Sequence, residues 1–299
     1  CMNFCGVFAP IPTPFVDDEL DLGALRDNLA RWMETDLAGI VVLGTNGESA
    51  QVNDNEADEL IATTRSVMPE SRLVIAGTGR ESTRATVTAT RRAADAGANA
   101  VLVRTPSFFK RLMTEEALIR HYTVVADAAP IPVLLYNFSA ATGVNLSPIA
   151  VGKLSEHPNI IGIKESGGSI EQVGDLVVKA SPGFSVLVGS APTFFASLCV
   201  GAIGGILALA AVQPALCVKL LQLVQEHKLG QALVVQRQLT PLANLVTTVY
   251  GVPGLKAALD LTGYYGGPPR YPLLPVRPEG IDQIREAIAL INEQIPVGS

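Results

Sequence analysis

A lysine at the end of an apolar run is the residue in this chain best placed to do covalent chemistry. Lys164 follows Ile160-Ile161-Gly162-Ile163, so its stem begins in a strand-like segment with little water around it. Desolvation disfavours an ammonium ion and can bring a lysine pKa to about 7 to 8, leaving a free amine able to attack a ketone. The adjacent Glu165 supports a plainer reading, in which Lys164 is an ordinary ion-paired lysine. Tyr136 closes a second apolar run, Val133-Leu134-Leu135. Its hydroxyl is available for proton transfer, although a tyrosine there also serves as an amphipathic filler. Gly44-Thr45-Asn46-Gly47 follows a third run. Glycines flanking Thr and Asn let successive backbone N–H groups converge on an anion, and the Thr45 and Asn46 side chains add donors for a small carboxylate. The same residues would also make a plain turn.

Other familiar signals fail. Gly77-Thr78-Gly79-Arg80-Glu81-Ser82 lacks the third glycine of a dinucleotide fingerprint, and Lys110 is not set in a phosphate-binding P-loop. Ser107-Phe108-Phe109-Lys110 spells SxxK without the companion motifs of penicillin-recognising enzymes. His121, His157 and His227 are far apart and lack the spacing of metal ligands. A metal-dependent mechanism is therefore not expected.

The elements that must position these residues alternate regularly. Strand candidates are Val7 to Ile11, Ile40 to Leu43, Leu73 to Ala76, Ala100 to Val103, Val133 to Tyr136, Ile160 to Ile163, Phe184 to Val188 and Ile203 to Leu209. Between them run amphipathic stretches, such as the one placing Leu22, Leu25, Leu29 and Trp32 on one face and the one introduced by Asn53 and Asp54. Short apolar strands alternating with helices make a parallel sheet covered by helices, and roughly thirty residues per unit fits a (β/α)8 TIM barrel of about 250 residues. After Leu209 the pattern is purely helical. Residues 1–212 are read as the barrel core, and 213–299 as the last barrel helix plus a C-terminal helical extension of the same unit. In a parallel barrel the residues after each strand gather on one rim, where catalytic groups sit.

Composition agrees with a folded α/β chain. Apolar residues are 48% and charged residues 17% of 299, enough to fill a large core, and 22 basic against 28 acidic residues leaves a charge of −6. That balance argues against nucleic acid as a partner. No charge occurs between Lys179 and Lys219, a length that raises the question of a membrane span. Pro192, Pro214 and the glycines between them cut this run into strand-sized pieces, which predicts buried strands seven and eight and no membrane helix. Cys1, Cys5, Cys199 and Cys217 form no CxxC pair, and a reducing cytoplasm fits them. The opening residues do not read as a signal peptide. A mitochondrial matrix location would require a transit peptide to have been removed.

Gly44-Thr45-Asn46-Gly47-Glu48, Tyr136-Asn137, Ile160 to Ser166, Gly201 to Ile206, Gly251 to Lys256 and Gly263 to Leu273 together resemble the dihydrodipicolinate synthase and N-acetylneuraminate lyase superfamily of class I aldolases. Within it they are most similar to the 4-hydroxy-2-oxoglutarate aldolase branch. The resemblance implies a Schiff base on Lys164 with a 2-oxo acid, proton transfer by Tyr136, a catalytic part for Thr45 as well, and a carboxylate site at Thr45, Asn46 and Gly47. It also places Ser166, Gly189, Ile206, Phe109 and Ala141 around the substrate. It further implies no cofactor, no metal, and a homotetramer built as a dimer of dimers.

Two positions depart from the family pattern. Where relatives commonly carry a tyrosine pair after Thr-Pro, one of them entering the neighbouring subunit's proton relay, this chain has Phe108 and Phe109. Where the synthase has an arginine before Thr-Gly, this chain has Ala141, and the guanidinium fork for a second carboxylate is missing. The expected activity is thus cleavage of 4-hydroxy-2-oxoglutarate or a related 2-oxo acid to pyruvate or glyoxylate-type products. The alternatives are a sugar-acid dehydratase, a synthase-like condensing enzyme, or a non-catalytic 2-oxo-acid-binding member.

Overall fold

Eight short strands pair in parallel and close on themselves. The computed structural model describes residues 4–293, so Cys1 and the end of the last predicted helical stretch lie outside the described residues. The chain begins with β1 (Gly6–Pro10), followed by a small antiparallel hairpin of β2 (Phe15–Val16) and β3 (Glu19–Leu20). The remaining barrel strands are β4 (Gly39–Val42), β5 (Leu73–Gly77), β6 (Ala100–Arg104), β7 (Val133–Asn137), β8 (Ile160–Glu165), β9 (Ser185–Val188) and β10 (Gly204–Ile206). Each pairs with its neighbour in sequence, and β1 closes the ring between β10 and β4. The TIM barrel expected from the alternation is the fold observed.

Alternation along the strands sorts side chains into two cores. Phe8, Val41, Ile75, Leu102, Leu134, Leu187 and Ile206 fill the barrel's interior, while their neighbours Val7, Val42, Val74, Val103, Leu135 and Val188 pack outward against the helices. Because the side-chain period is two, one step along a strand moves a residue from the inner core to the outer one. The outer helices bury the faces their sequences predict. Helix Leu22–Met33 buries Leu25, Leu29 and Trp32, and helix Asp54–Val67 starts with a capping box between Asn53 and Glu56.

The charge-free run contains β9, a six-residue helix Phe194–Cys199, β10 and a tight 3-10 turn at Ala208–Ala211. Among the described residues no helix is long and apolar enough to cross a membrane. The eighth strand is shorter than Ile203 to Leu209, because the chain leaves the extended conformation for the 3-10 turn that begins at Ala208. Beyond it, helices Pro214–Gln225, Leu229–Asn244, Gly251–Leu261 and Pro278–Glu293 follow in turn. A wider π-helical turn, Leu245–Val249, joins the second of these to the third and follows shortly after Pro241.

One buried histidine makes the fold pH-sensitive. His121, on helix Glu115–Ala128, pairs through Nδ1 with the Thr83 hydroxyl at 2.8 Å, while its Nε2 is buried without a partner among the described residues. Burial pushes its pKa down to about 4, against an opposing pull from the Glu81 charge. The unfolded chain therefore binds the extra proton first, so His121's contribution is complete above its ordinary pKa and shrinks as pH falls toward 4. Between about pH 7.5 and 5 the loss amounts to about 2 kcal/mol. Urea unfolding of the wild type and of His121→Phe at both pH values should show that much less pH dependence in the variant. Equal dependence in the two proteins would contradict the assignment.

Candidate active site

The pairing register assembles the site. Arg104 on β6 is matched with Tyr136 on β7, Tyr136 with Lys164 on β8, and Lys164 with Leu187 on β9. Members of one row in a parallel sheet share a face, and Tyr136 and Leu187 belong to the inner core. Lys164 therefore projects into the barrel's mouth, where it is 4% exposed. Its Nζ lies 4.4 Å from the centroid of the Tyr136 ring.

Glu165, one residue on, faces the other way. Its carboxylate accepts hydrogen bonds from Asn137 Nδ2 at 2.7 Å, Gln172 Nε2 at 2.8 Å and Gly167 N at 2.5 Å. The ion-paired reading of Lys164 fails on this geometry, since a strand's two faces separate consecutive side chains. Among the described residues no salt bridge reaches Lys164.

Lys164 opens into a cavity of about 450 Å³, and it is the only charged side chain among the residues lining that space. Thr45, Asn46, Tyr136, Ala141, Ser166, Gly189 and Ile206 also line it, so the structure brings these seven expected residues together. Tyr136 OH and Thr45 Oγ1 are hydrogen-bonded at 3.1 Å. The Ser166 hydroxyl is buried without a partner among the described residues. Gly189 is obligatory beside it: an added Cβ would fall on Ser166 Oγ and come within 2.9 Å of Lys164 Cε.

Two predicted site residues are elsewhere. Gly47 does not line the cavity. Its carbonyl accepts a hydrogen bond from Thr13 Oγ1 at 2.7 Å, and a Cβ there would come within 2.9 Å of Leu43 N, so its part is to let the turn fold back on itself. Positive φ occurs at Leu43 and Glu48, which bracket Gly44 to Gly47, rather than at the two glycines. Phe109 is also outside the cavity, 64% exposed beside the still more exposed Phe108. The reason is local. Glu81 accepts hydrogen bonds from the backbone N–H groups of Ser107 and Phe108 at 2.8 and 2.9 Å and pairs with Arg104 at 2.8 Å, which holds this loop on the surface. Burial raises the Glu81 pKa, but these donors outweigh it and set the value at about 2.

A sequence model of the dihydrodipicolinate synthetase family matches residues 3–291. The chain belongs to this family. It is 34% identical over 292 residues to a 4-hydroxy-tetrahydrodipicolinate synthase of Exiguobacterium, covering 97% of this chain and 99% of that one. It is 35% identical over 290 residues to a probable mitochondrial 4-hydroxy-2-oxoglutarate aldolase of Emericella nidulans, covering 95% and 94%. The crystal structure of dihydrodipicolinate synthase from Thermotoga maritima superposes with a TM-score of 0.93 at 31% identity, covering 97% of this chain and 99% of that one. As a member of the dihydrodipicolinate synthetase family, the chain is an enzyme of the lyase or aldolase type.

Sequence reasoning missed part of the site. Val246, Thr247 and Thr248 reach the cavity from the π-helical turn, together with Val252 just beyond it. Such widened turns are frequent at functional sites, and Pro241 within a helical pattern was the available signal. Phe138 lines the cavity as well and stacks on Tyr136, with ring centroids 6.1 Å apart.

A second buried lysine was also missed. Lys256 Nζ lies 2.6 Å from Glu48 Oε1 and donates to Pro268 O at 2.8 Å, while Arg270 N donates to Glu48 Oε2 at 2.8 Å. Both side chains of the pair are essentially unexposed. Burial pulls the Lys256 pKa down, with Glu48 opposing it. The pair ties the turn carrying Thr45 and Asn46 to the C-terminal helices. Removing one member of a buried pair strands the other charge, at a cost of about 3 to 5 kcal/mol. Denaturant melts should show Glu48→Gln and Lys256→Met each destabilising on that scale, and the double variant losing far less than the sum. Additive losses would contradict a coupled pair.

Proposed function

We propose that this enzyme is a class I, Schiff-base-forming lyase that cleaves 4-hydroxy-2-oxoglutarate or a related 4-hydroxy-2-oxo acid to pyruvate and an aldehyde, without a metal or other cofactor. The observation that carries the reading is Lys164 buried in the barrel mouth, without a carboxylate partner among the described residues and with its Nζ over the Tyr136 ring. Thr45 and Asn46 are assigned to the substrate carboxylate, with the Ser166 hydroxyl as a further partner. The Lys164 amine adds to the C2 carbonyl, and loss of water gives an iminium. The C3–C4 bond then breaks, its electrons passing into the iminium to form an enamine, while the C4 hydroxyl gives up its proton and becomes the aldehyde carbonyl. Protonation at C3 and hydrolysis release pyruvate and restore the amine. Tyr136 carries protons through these steps.

A condensing synthase is the second reading, favoured by the names of the bacterial relatives. Against it stands the cavity's lining, in which Ala141 occupies the expected arginine position and Lys164 is the only charge. Exposed Phe108, Phe109 and Leu112 suit contact with a second copy, and a homotetramer in a reducing cytoplasm belongs to the same proposal.

Pyruvate release from a panel of 4-hydroxy-2-oxo acids, read through lactate dehydrogenase, tests the assignment. Activity with 4-hydroxy-2-oxoglutarate or a close analogue is expected, abolished in Lys164→Ala and slowed about 10²- to 10⁴-fold in Tyr136→Phe. Condensation of pyruvate with aspartate semialdehyde, without cleavage of any panel member, would overturn it in favour of the synthase.

A further inference from the structure

The hydroxyl pair at the heart of the site separates two cavities. Among the described residues, Thr45 and Tyr136 alone line both the large cavity holding Lys164 and a small one behind it. The small cavity offers about 20 Å³ to the centre of a water molecule, where about 10 to 15 Å³ is enough for one water. Its wall is polar where it matters: besides the two hydroxyl-bearing residues it includes Ser49, Arg104 and the backbone of Gly44, Gly77 and Gly79. Arg104 is the register partner of Tyr136 on the neighbouring strand. Its Nη1 is engaged by Glu81 at 2.8 Å and by Thr105 O at 3.2 Å, and Nε and Nη2 make no hydrogen bond among the described residues.

A proton relay needs a supply at its far end. Once Tyr136 has given a proton to the departing carbinolamine oxygen, it must recover one, and Thr45 is its hydrogen-bond partner. Thr45 must then recover one in turn. Phe108 and Phe109 carry no exchangeable side-chain proton, so neither can supply one from its own chain or from a second copy, and neither lines the two cavities of its own chain. The small cavity lies directly behind the pair and is lined by a hydroxyl and a permanently charged donor.

We propose that a water molecule bound in this cavity between Thr45, Tyr136, Ser49 and Arg104 is the third member of the proton relay, so that one protomer carries the relay without a tyrosine from a neighbour. The transfer is a shuttle with no net charge change. Water gives a proton to Thr45 as Thr45 gives one to Tyr136, and the water regains its proton from the Ser49 hydroxyl, which exchanges with solvent. Arg104 acts as a positioning residue: it donates to the water, turning the water's own protons toward Thr45, and cannot itself be deprotonated.

This proposal rests on the Schiff-base reading, and its test separates the two. In D₂O the enzyme should exchange the methyl protons of pyruvate through the enamine, which proton NMR follows directly without knowledge of the full substrate. Ser49→Val removes the hydroxyl that returns a proton to the water, whereas Ser49→Thr, of the same size as Val, retains it. Exchange is expected to slow about 10²-fold in Ser49→Val, with recovery to within several-fold of wild type in Ser49→Thr and with borohydride trapping of pyruvate on Lys164 retained in both. Wild-type exchange in a Ser49→Val protein that still traps pyruvate would overturn the relay. Should Ser49→Val fail to fold or to trap, Arg104→Met decides: slower exchange with trapping retained supports the water, and an unchanged rate overturns it. A wild-type enzyme that traps no pyruvate at all would instead remove the Schiff-base reading itself.

Discussion

The structure depends on one constraint: in β8 the amine of Lys164 must face the barrel's interior while the carboxylate of Glu165 faces out. The strand's period of two enforces this, and the outer polar network makes it permanent, because Asn137, Gln172 and the Gly167 N–H already occupy the Glu165 oxygens. A slip of one residue would exchange the two side chains and destroy the site. The β7–β8 register carries the same constraint to Tyr136, which is matched to Lys164 as Asn137 is to Glu165. The inner members carry the proposed chemistry, and the outer members fix the strand that holds them.

Around this row the cavity is arranged to keep the amine free of competing charge. Among the residues lining it there is no Arg, His, Asp or Glu and no second Lys, and the aromatic face beside the amine belongs to the proton-transfer candidate itself. The acidic groups nearby are spoken for: Glu48 by Lys256 and the Arg270 backbone, and Glu81 by Arg104 and two loop N–H groups. These pairs also brace the site mechanically, the first by fastening the Thr45–Asn46 turn to the C-terminal helices and the second by fixing the loop that follows β6.

Much of this was legible in the sequence, for physical reasons. Strand-length apolar runs with helical stretches between them specify a barrel, and the rim rule then gathers Lys164, Tyr136, Thr45 and Asn46. The charge-free segment read as buried strands because prolines and glycines broke it into short pieces. What could not be read was anything set by long-range packing. Gly47 looked like a ligand-facing glycine because a turn's direction is invisible in sequence, yet the chain needs it for close approach to Leu43. Phe109 is expected near a substrate by analogy with a tyrosine pair, one of which enters a neighbouring subunit's site; within its own chain the Glu81 clamp holds it outside the cavity. Thr247 and Thr248 lie far from the barrel strands in sequence and enter only because the helix widens after Pro241. The Glu48–Lys256 pair spans more than two hundred residues of chain, and no local pattern announces it.

The most direct measurement is covalent capture. Purified enzyme incubated with pyruvate and sodium borohydride, digested and mapped by mass spectrometry, should carry one reduced pyruvate imine on Lys164, absent when Lys164 is replaced by alanine. Unmodified Lys164, or an adduct confined to another lysine such as Lys256, would contradict the account, however well the barrel itself is described.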